Sequence, residues 1–301
     1  MAGNYKDCRP FLISGENDTI DLMIPYFSYS QIQIGPLTLY PWGLFLGLAF
    51  LIGSWLVFRE SAKKGIEPKK VFWLIISVFL GGMIGSRLAF LLQFPQYYLV
   101  HPSEVFRVWA GGLMFYGGFF GALIAGWLYW NKQNKGTPFL LRPFQKGRSK
   151  KGVPLAISFL QIADAVTPAL ALGIFITRIG CSLINDHQGA ITSLPWAIQW
   201  SDGTLRHPVA EYLALNGLLM FLVFWFLRNR LKKPGQLFIV FLFWYSVSRF
   251  LLDFTRAIDT PLADPHYFGL FVSQWLGLFV IIGLTAFLIK KKTIIRRFLL
   301  I

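Results

Sequence analysis

Cysteine, histidine and acidic residues are scarce in this chain of 301 residues. It has 2 cysteines, 4 histidines and 14 Asp and Glu against 29 Lys and Arg, which gives a net charge of +15. Two cysteines cannot build a disulfide framework, and we do not expect Cys8 to pair with Cys181. The first 36 residues lack the apolar run of roughly 7–15 residues that a cleavable signal peptide requires. No internal repeat of the kind found in many transporters is present, so one domain is expected.

The excess of basic charge is concentrated in four short blocks. They occupy residues 59–70, 132–151, 228–233 and 290–297. Such a charge could indicate nucleic-acid binding, but basic blocks that alternate with apolar runs are typical of the cytoplasmic loops of a membrane protein. These blocks can also attract anionic lipid. We therefore expect the bilayer, and no nucleic acid, as a partner.

Long apolar runs account for most of the chain. Hydrophobic residues make up 55% of it and aromatic residues 17%, and a helix needs roughly 20 apolar residues to cross a bilayer. The predicted fold is an all-α integral membrane protein with seven transmembrane helices, the N terminus outside and the C terminus in the cytoplasm. The predicted spans are 37–58, 71–93, 112–130, 154–183 (interrupted by Pro168), 209–227, 236–254 and 268–289.

The segments between the spans predict the domain organisation. Residues 1–36 are expected to form an extramembrane arm, and residues 37–301 the helical domain, which includes a basic cytoplasmic loop at 131–152 that is rich in Lys, Gly and Pro. We expect the arm to form a small irregular cap on the outer face together with the loops at 94–110, 184–208 and 255–267.

Several arginines fall in or beside the outer half of the predicted spans. Charged groups inside a membrane are costly and are usually paired or functional. Arg87 and Arg249 lie in the outer half of their spans, Arg178 lies near the end of the fourth span, and Arg256 just beyond the sixth. Asp253 shares a helix face with Arg249, so an ion pair can orient that arginine. Because guanidinium suits phosphate, the group predicts a phospholipid site; structural salt bridges and arginines reaching to headgroups are the alternative.

Small residues recur at four-residue spacing in the second and third spans. Gly81 and Gly85 lie in the second span, and Gly118, Ala122 and Gly126 in the third. This spacing is typical of closely packed membrane helices. The glycine pairs at 111–112 and 117–118 could also leave room for a lipid headgroup.

Four segments resemble the prolipoprotein diacylglyceryl transferases. Residues 95–121, PQYYLVHPSEVFRVWAGGLMFYGGFFG, carry the pattern W-x-GG-x-x-F-(H or Y)-GG. Residues 177–200, TRIGCSLINDHQGAITSLPWAIQW, are similar to the signature GRIGNFINGE and its variant RIGCFLxGDDYG. RHPVAEY at 206–212 is similar to RHPxQLYE, and SRFLLDFTRAID at 248–259 is similar to xRFxxEFFRxPD.

The resemblance implies an enzyme of the bacterial inner membrane whose active site faces the periplasm. Members of this family transfer the diacylglyceryl group of phosphatidylglycerol to the lipobox cysteine thiol of a prolipoprotein and release glycerol phosphate. The implied partners are phosphatidylglycerol, prolipoprotein signal peptides with a lipobox cysteine, and the bilayer. No metal or soluble cofactor is implied.

The resemblance also implies roles for individual residues. Arg178 is expected to bind the phospholipid head, Arg249 to lie by the leaving phosphate, and Asp253 to replace the family's usual glutamate. Tyr116 stands where many members have histidine. The remaining substrate-binding candidates are Arg87, Gly117, Gly118, Gly180, Asp186, Gly189, His207 and Arg256; His207 could equally be a local structural cap.

Some positions depart from the family pattern. A neutral tyrosine at 116 is a poor base at pH 7, Trp42 replaces a common tyrosine, and Cys181 replaces an asparagine and is expected to be a packing residue rather than a nucleophile. These changes leave open an inactive relative that only binds lipid or peptide, and a transferase with a different acceptor or donor. A channel or transporter would need polar groups in both halves of the membrane, whereas Asp164 alone is predicted nearer the inner side.

Overall fold

The computed structural model describes residues 24–29, 31–35, 37–93, 95–106, 115–133, 159–185, 188–200, 202–231, 233–260 and 266–299. In these ranges the chain is mostly helical. The helices are α1 Pro41–Lys63, α2 Pro68–Gln93, α3 Pro95–Val100, α4 Phe115–Gln133, α5 Phe159–Ile184, α6 Val209–Leu227, α7 Gln236–Leu252 and α8 Val272–Leu299, with 3-10 turns at Pro102–Phe106 and Asp253–Thr255. The strands are β1 Ile24–Pro25, β2 Ile32–Ile34, β3 Leu37–Leu39, β4 Ile198–Gln199, β5 Leu205–Arg206, β6 His266–Tyr267 and β7 Leu270–Phe271.

Several of these helices can cross a membrane. Within the described ranges, five are long and apolar enough: α1, α2, α5, α6, and α7 together with the turn that follows it. A sixth apolar segment, Val272–Ala286 of α8, is shorter, and α4 lies in the third predicted run. The chain is therefore a multi-pass membrane protein, whereas the count of seven spans and their orientation stay predictions.

Local sequence explains where several helices begin and end. Helices α1, α2 and α3 each begin at a proline, a residue favoured at the first helical position because it has no N–H to leave unpaired. The first predicted span started at residue 37, but Leu37–Leu39 pairs antiparallel with β2, so the helix begins later. Helix α5 runs through Pro168 without a break, which corrects the expected interruption. Helix α8 continues into the last basic block, since Lys and Arg are good helix formers.

The chain divides into two compact units. The first comprises the described parts of 1–50, 171–223 and 239–301, and the second comprises those of 51–170 and 224–238. The predicted boundary at residue 36 between an arm and a helical domain stays a prediction.

The first unit contains the short strands. Strand β4 pairs with β1 in parallel and with β5 antiparallel, and β2–β3 and β6–β7 form two-stranded hairpins. The predicted all-α class is thus correct for the apolar segments. It is wrong for the segments between them that form these short strands. Strands of two or three residues are too short to leave the alternating pattern that identifies a strand in a sequence.

Close packing of α2 against α4 dominates the second unit. A Cβ added to Gly85 would lie 2.8 Å from the Cα of Gly121, and one added to Gly81 would lie 2.6 Å from the Gly121 carbonyl oxygen. Even an alanine therefore cannot fit unless the helices move apart. The predicted helix contact through small residues is confirmed.

Asp164 links two helices of the second unit. Its carboxylate accepts hydrogen bonds from the N–H groups of Gly235 (2.7 Å) and Phe238 (3.0 Å) at the start of α7. The first N–H groups of a helix have no partner within it, and a carboxylate there also complements the helix dipole. This buried charge in a predicted span is thus an N-terminal cap supplied by another helix.

Replacing Asp164 with alanine should lower the free energy of unfolding by about 2–4 kcal/mol, because two hydrogen bonds to a charged group are lost. Asp164→Asn keeps one carbonyl oxygen as an acceptor and should cost less. Thermal unfolding of both variants in detergent checks this order. Equal melting temperatures for native protein and the alanine variant would contradict the capping role.

Candidate functional site

Arg249 and Asp253 form an ion pair where α7 ends. Arg249 lies in the last turn of α7, and Asp253 opens the following 3-10 turn. The Nη2 of Arg249 is 3.3 Å from the Oδ1 of Asp253, and the two side chains are 12% and 0% exposed. The ion pair that the four-residue spacing permits is therefore present, in a site shielded from water.

Two further side chains hold the Asp253 carboxylate. The Nη1 of Arg256 lies 4.0 Å from Oδ1, and the hydroxyl of Ser273, in the first turn of α8, donates a hydrogen bond to Oδ2. The next residue, Gln274, donates from Nε2 to the carbonyl oxygen of Phe250 at 3.0 Å. The start of α8 is thereby fastened to the end of α7. No sequence pattern marks Ser273, because the whole connection between α7 and α8 separates it from Asp253.

The ion pair leaves a donor of Arg249 unused. Its buried Nη1 has no hydrogen-bond partner among the residues that the structure describes, and the same holds for Oδ1 of Asp253, whose arginine neighbours lie at ion-pair distance. A buried charged donor without a partner is costly. Arg249 can thus offer Nη1 to an anionic group while Asp253 fixes the other nitrogen.

Gly189 brings together two other candidates from separate motifs. Its segment bonds to the turn after α7, from Ala190 N to Thr255 O at 2.8 Å and from Ala257 N to Gln188 O at 3.0 Å, and Gly189 itself pairs with Arg256. On its other side, a Cβ on Gly189 would lie 2.8 Å from the Cβ of His207. No side chain fits there, so the glycine permits the close approach of its segment to His207.

Arg206 is a functional candidate that sequence reasoning missed. Its Nη1 donates to the carbonyl oxygen of Gly189 at 2.9 Å, and both terminal nitrogens bind the Asp259 carboxylate, at 3.1 and 2.9 Å. These hydrogen bonds lower the pKa of the Asp259 carboxyl below its ordinary value. The buried guanidinium thus fixes the Gly189 segment. The two partners lie in separate motifs, Arg206 in RHPVAEY and Asp259 in SRFLLDFTRAID. A single sequence does not show that these oppositely charged residues meet.

His207 contacts the beginning of α6. Its Nδ1 lies 3.3 Å from the hydroxyl of Tyr212, which also accepts a hydrogen bond from Trp196 Nε1 at 2.8 Å. Burial lowers the pKa of His207 and thereby favours the neutral ring. These contacts fit the structural-cap alternative, and a substrate contact stays a prediction.

The end of α5 carries Arg178 and Gly180. The Nη1 of Arg178 lies 3.8 Å from the sulfur of Cys181, which is buried. A Cβ on Gly180 would lie 2.8 Å from the Cβ of Phe45, so this glycine lets α5 approach α1. Asn185 has φ +51°, and asparagine tolerates that conformation better than most residues. Asp186 lies outside the described residues.

The remaining candidates belong to the second unit. Buried Arg87 donates from Nε to Val105 O at 2.9 Å and from Nη2 to Glu104 O at 2.5 Å, which fastens the turn after α3 to α2. Gly117 and Gly118 pack against α2, where a Cβ on Gly118 would lie 3.3 Å from Gly82 O. Tyr116 lies in the first turn of α4, and its side chain is outside the described atoms. Lipid contact at these positions stays a prediction.

Apolar helices, and a cluster in which Arg249 and Arg256 flank the buried Asp253, define the class of this protein: it is a multi-pass membrane protein with a cationic site at the end of a helix. Comparison with known sequences gives the family. The sequence model described as "Prolipoprotein diacylglyceryl transferase" matches residues 30–142 and 146–290. The chain belongs to the prolipoprotein diacylglyceryl transferase family and is a transferase of lipoprotein biosynthesis, which confirms the resemblance seen in its motifs.

Curated relatives agree over most of the chain. The phosphatidylglycerol–prolipoprotein diacylglyceryl transferase of Bordetella avium (strain 197N) is 32% identical over 271 residues, which cover 87% of this chain and 94% of that protein. The protein of the same name from Aromatoleum aromaticum is 31% identical over 264 residues, covering 85% and 92%. That from Nitratidesulfovibrio vulgaris (strain DP4) is 30% identical over 270 residues, covering 87% and 94%.

Proposed function

We propose that this chain transfers the diacylglyceryl group of phosphatidylglycerol to the lipobox cysteine thiol of a secreted prolipoprotein. The products are a thioether-linked diacylglyceryl cysteine and glycerol phosphate. Its relatives are named for phosphatidylglycerol and prolipoprotein, and the chain has the buried cationic site that phosphate chemistry requires. The observation that carries the proposal is the buried Nη1 donor of Arg249 beside the Asp253 ion pair.

The reaction needs a cation at the leaving oxygen. The thiolate of the precursor attacks the glycerol carbon next to the phosphate, a C–S bond forms, and the C–O bond to phosphate breaks. The electron pair of that bond leaves on glycerol phosphate, and the thiol proton passes to a base. Fixed donors that do not reorganise stabilise such developing charge most strongly in a site shielded from water. Arg249, held by Asp253, meets both conditions.

The other candidate residues have supporting roles in this proposal. Arg178 binds the phospholipid head, Arg256 adds a second positive charge beside Asp253, and Tyr116 is a catalytic candidate because of its place in the family motif. Gly180 and Gly189 allow the backbone to approach closely, and Asp186 completes the signature segment. Arg87, Gly117, Gly118 and His207 complete the substrate-binding set.

We place this site toward the periplasmic face of the bacterial inner membrane. The support is the distribution of basic blocks, which predicts seven spans with the N terminus outside. On that topology α7 runs outward, and Arg249 lies near its outer end. Phosphatidylglycerol and the lipobox of an exported precursor would both reach this depth.

Ser273 is a positioning residue in this proposal. It bonds to Asp253, which in turn orients Arg249, and it does not itself contact the substrate. Ser273→Ala should lower kcat at least about tenfold, the effect of losing a hydrogen bond to a charged group worth roughly 1.5 kcal/mol or more, and leave KM for the precursor nearly unchanged. Ser273→Thr keeps the hydroxyl and should retain most activity. Initial lipidation rates at several precursor concentrations separate kcat from KM, and equal loss in both variants would contradict the hydrogen-bond role.

The proposed reaction is tested by following its second product. Purified protein in liposomes that contain headgroup-labelled phosphatidylglycerol should release labelled glycerol phosphate only when a lipobox precursor is added. Liposomes of phosphatidylethanolamine and an acceptor with the lipobox cysteine changed to serine are the controls. Folded protein that binds the precursor but releases nothing would overturn the transfer reaction in favour of an inactive, binding relative.

A further inference from the structure

The β6–β7 hairpin has an unusual residue at its tip. Phe268 and Gly269 connect the two strands with φ values of +53° and +77°. Positive φ at both positions is the signature of a type I′ turn, in which Asn or Gly normally occupies the first position. A bulky aromatic residue in this conformation is disfavoured. Phe268 is also 97% exposed, so contacts within the protein do not offset that cost.

The hairpin that carries this ring is firmly held. Trp275 Nε1 donates to the carbonyl oxygen of Tyr267 at 3.0 Å, and the N–H of Phe271 bonds Gln274 Oε1 at 2.9 Å. The buried Phe271 ring lies 5.0 Å from the Arg256 guanidinium, a cation–π contact. These contacts hold the hairpin so that Phe268 points away from the protein. At the other end of the hairpin, Phe271 contacts Arg256, which belongs to the cluster around Asp253.

The hairpin also lies where a helix enters its apolar stretch. Strand β7 ends at Phe271, and α8 begins at the next residue with the apolar segment Val272–Ala286. The connection from Asp253 to Phe271 joins the end of α7 to the start of α8, so the tip belongs to the same membrane face as Arg249. Aromatic rings are enriched at the boundary between headgroups and acyl chains. Tyr267, beside the tip, is 59% exposed.

We infer that the tip of the β6–β7 hairpin, Phe268 with Tyr267, is an aromatic anchor that inserts into the interfacial layer of the phospholipid bilayer. The partner is the boundary between headgroups and acyl chains on the face that holds Arg249. Insertion removes the Phe268 ring from water, which accounts for a strained turn that buries nothing in the protein. Through Phe271 and Arg256, the anchor fixes the depth of the ionic cluster relative to the lipid headgroups. The inference is independent of the transfer reaction.

The depth of the ring can be measured directly. Trifluoromethyl-phenylalanine is introduced at position 268 by codon reassignment, and the full-length protein is placed in nanodiscs of phosphatidylethanolamine and phosphatidylglycerol. A matched protein carries the same label at Asp202, a fully exposed residue in the turn between β4 and β5. A nitroxide on the lipid chains should broaden the fluorine signal at 268 and spare the one at 202, and a water-soluble gadolinium chelate should do the reverse. Broadening at 268 by gadolinium and not by the lipid nitroxide would overturn the inference.

A second measurement separates the ring from the turn. Phe268→Asn keeps a residue that accepts positive φ, so the hairpin persists without its aromatic tip. With the label at position 267, lipid-nitroxide broadening should fall in Phe268→Asn and be retained in Phe268→Trp. Unchanged broadening in Phe268→Asn would assign the contact to the rest of the hairpin and refute the anchoring role of Phe268.

Discussion

Replacing Arg249 with alanine should lower the rate of diacylglyceryl transfer roughly 10²–10³-fold, the usual effect of removing one fixed donor from a developing negative charge. The Arg249 side chain is 12% exposed and ion-paired through Nη2, and its Nη1 has no hydrogen-bond partner within the described part of the chain. Its loss removes the charge that we place beside the leaving phosphate. The measurement is the initial rate of lipidation of a precursor peptide in proteoliposomes at saturating phosphatidylglycerol.

Two matched variants control this prediction. Arg249→Lys keeps the positive charge and loses the forked donors, so its rate should fall between those of native protein and alanine. Arg230→Ala removes an exposed arginine from a basic block and should leave the rate unchanged. A native rate in Arg249→Ala would contradict the proposed role, whereas equal losses at both arginines would indicate a general effect of charge.

Replacing Asp253 with alanine should lower both stability and activity. The carboxylate is fully buried and lies between two arginines, and removing one partner of a buried ion pair costs about 3–5 kcal/mol because the other charge is left uncompensated. Transfer should fall at least as far as in Arg249→Ala, since Arg249 and Arg256 are then both unsupported. Thermal unfolding in detergent and the lipidation rate measure the two effects.

A double-mutant cycle distinguishes this coupling from a general packing defect. Arg249→Met with Asp253→Leu removes both charges of the pair, so the stability loss should be smaller than the sum of the losses in Arg249→Met and Asp253→Leu. Strict additivity would mean that the two side chains do not stabilise each other in the folded protein. Asp253→Glu, which restores the family's usual residue, should keep more activity than the alanine variant.

The helices and the central ion pair were predictable because their signals are local. Helix α6 begins and ends at the predicted residues 209 and 227, since an apolar run bounded by Pro208 and the basic block at 228–233 defines both ends. The contact of Arg249 with Asp253 follows from their four-residue spacing, because the 3-10 turn that begins at Asp253 directly continues α7. Glycine spacing likewise predicted that the second and third spans pack closely against other helices, and the structure shows α2 against α4.

The remaining contacts join residues that are distant in the sequence. Asp164 caps a helix that starts after residue 235, Ser273 reaches Asp253 from the following helix, and Arg206 binds Asp259. No periodicity marks such pairs, because each partner is an ordinary polar residue within its own segment. The two-residue strands and the bridge between Gly189 and Arg256 form only where separate segments meet, so their pairing could not be predicted either.

The mass of a precursor after reaction with defined lipid tests the central claim most directly. A lipobox peptide is incubated with the native protein in liposomes whose phosphatidylglycerol carries an isotopic label in the acylated glycerol. The account predicts that the peptide gains one labelled diacylglyceryl group on its cysteine, with one glycerol phosphate released for each group transferred. No gain, gain of a single acyl chain, or gain by a precursor whose cysteine is replaced with serine would contradict it.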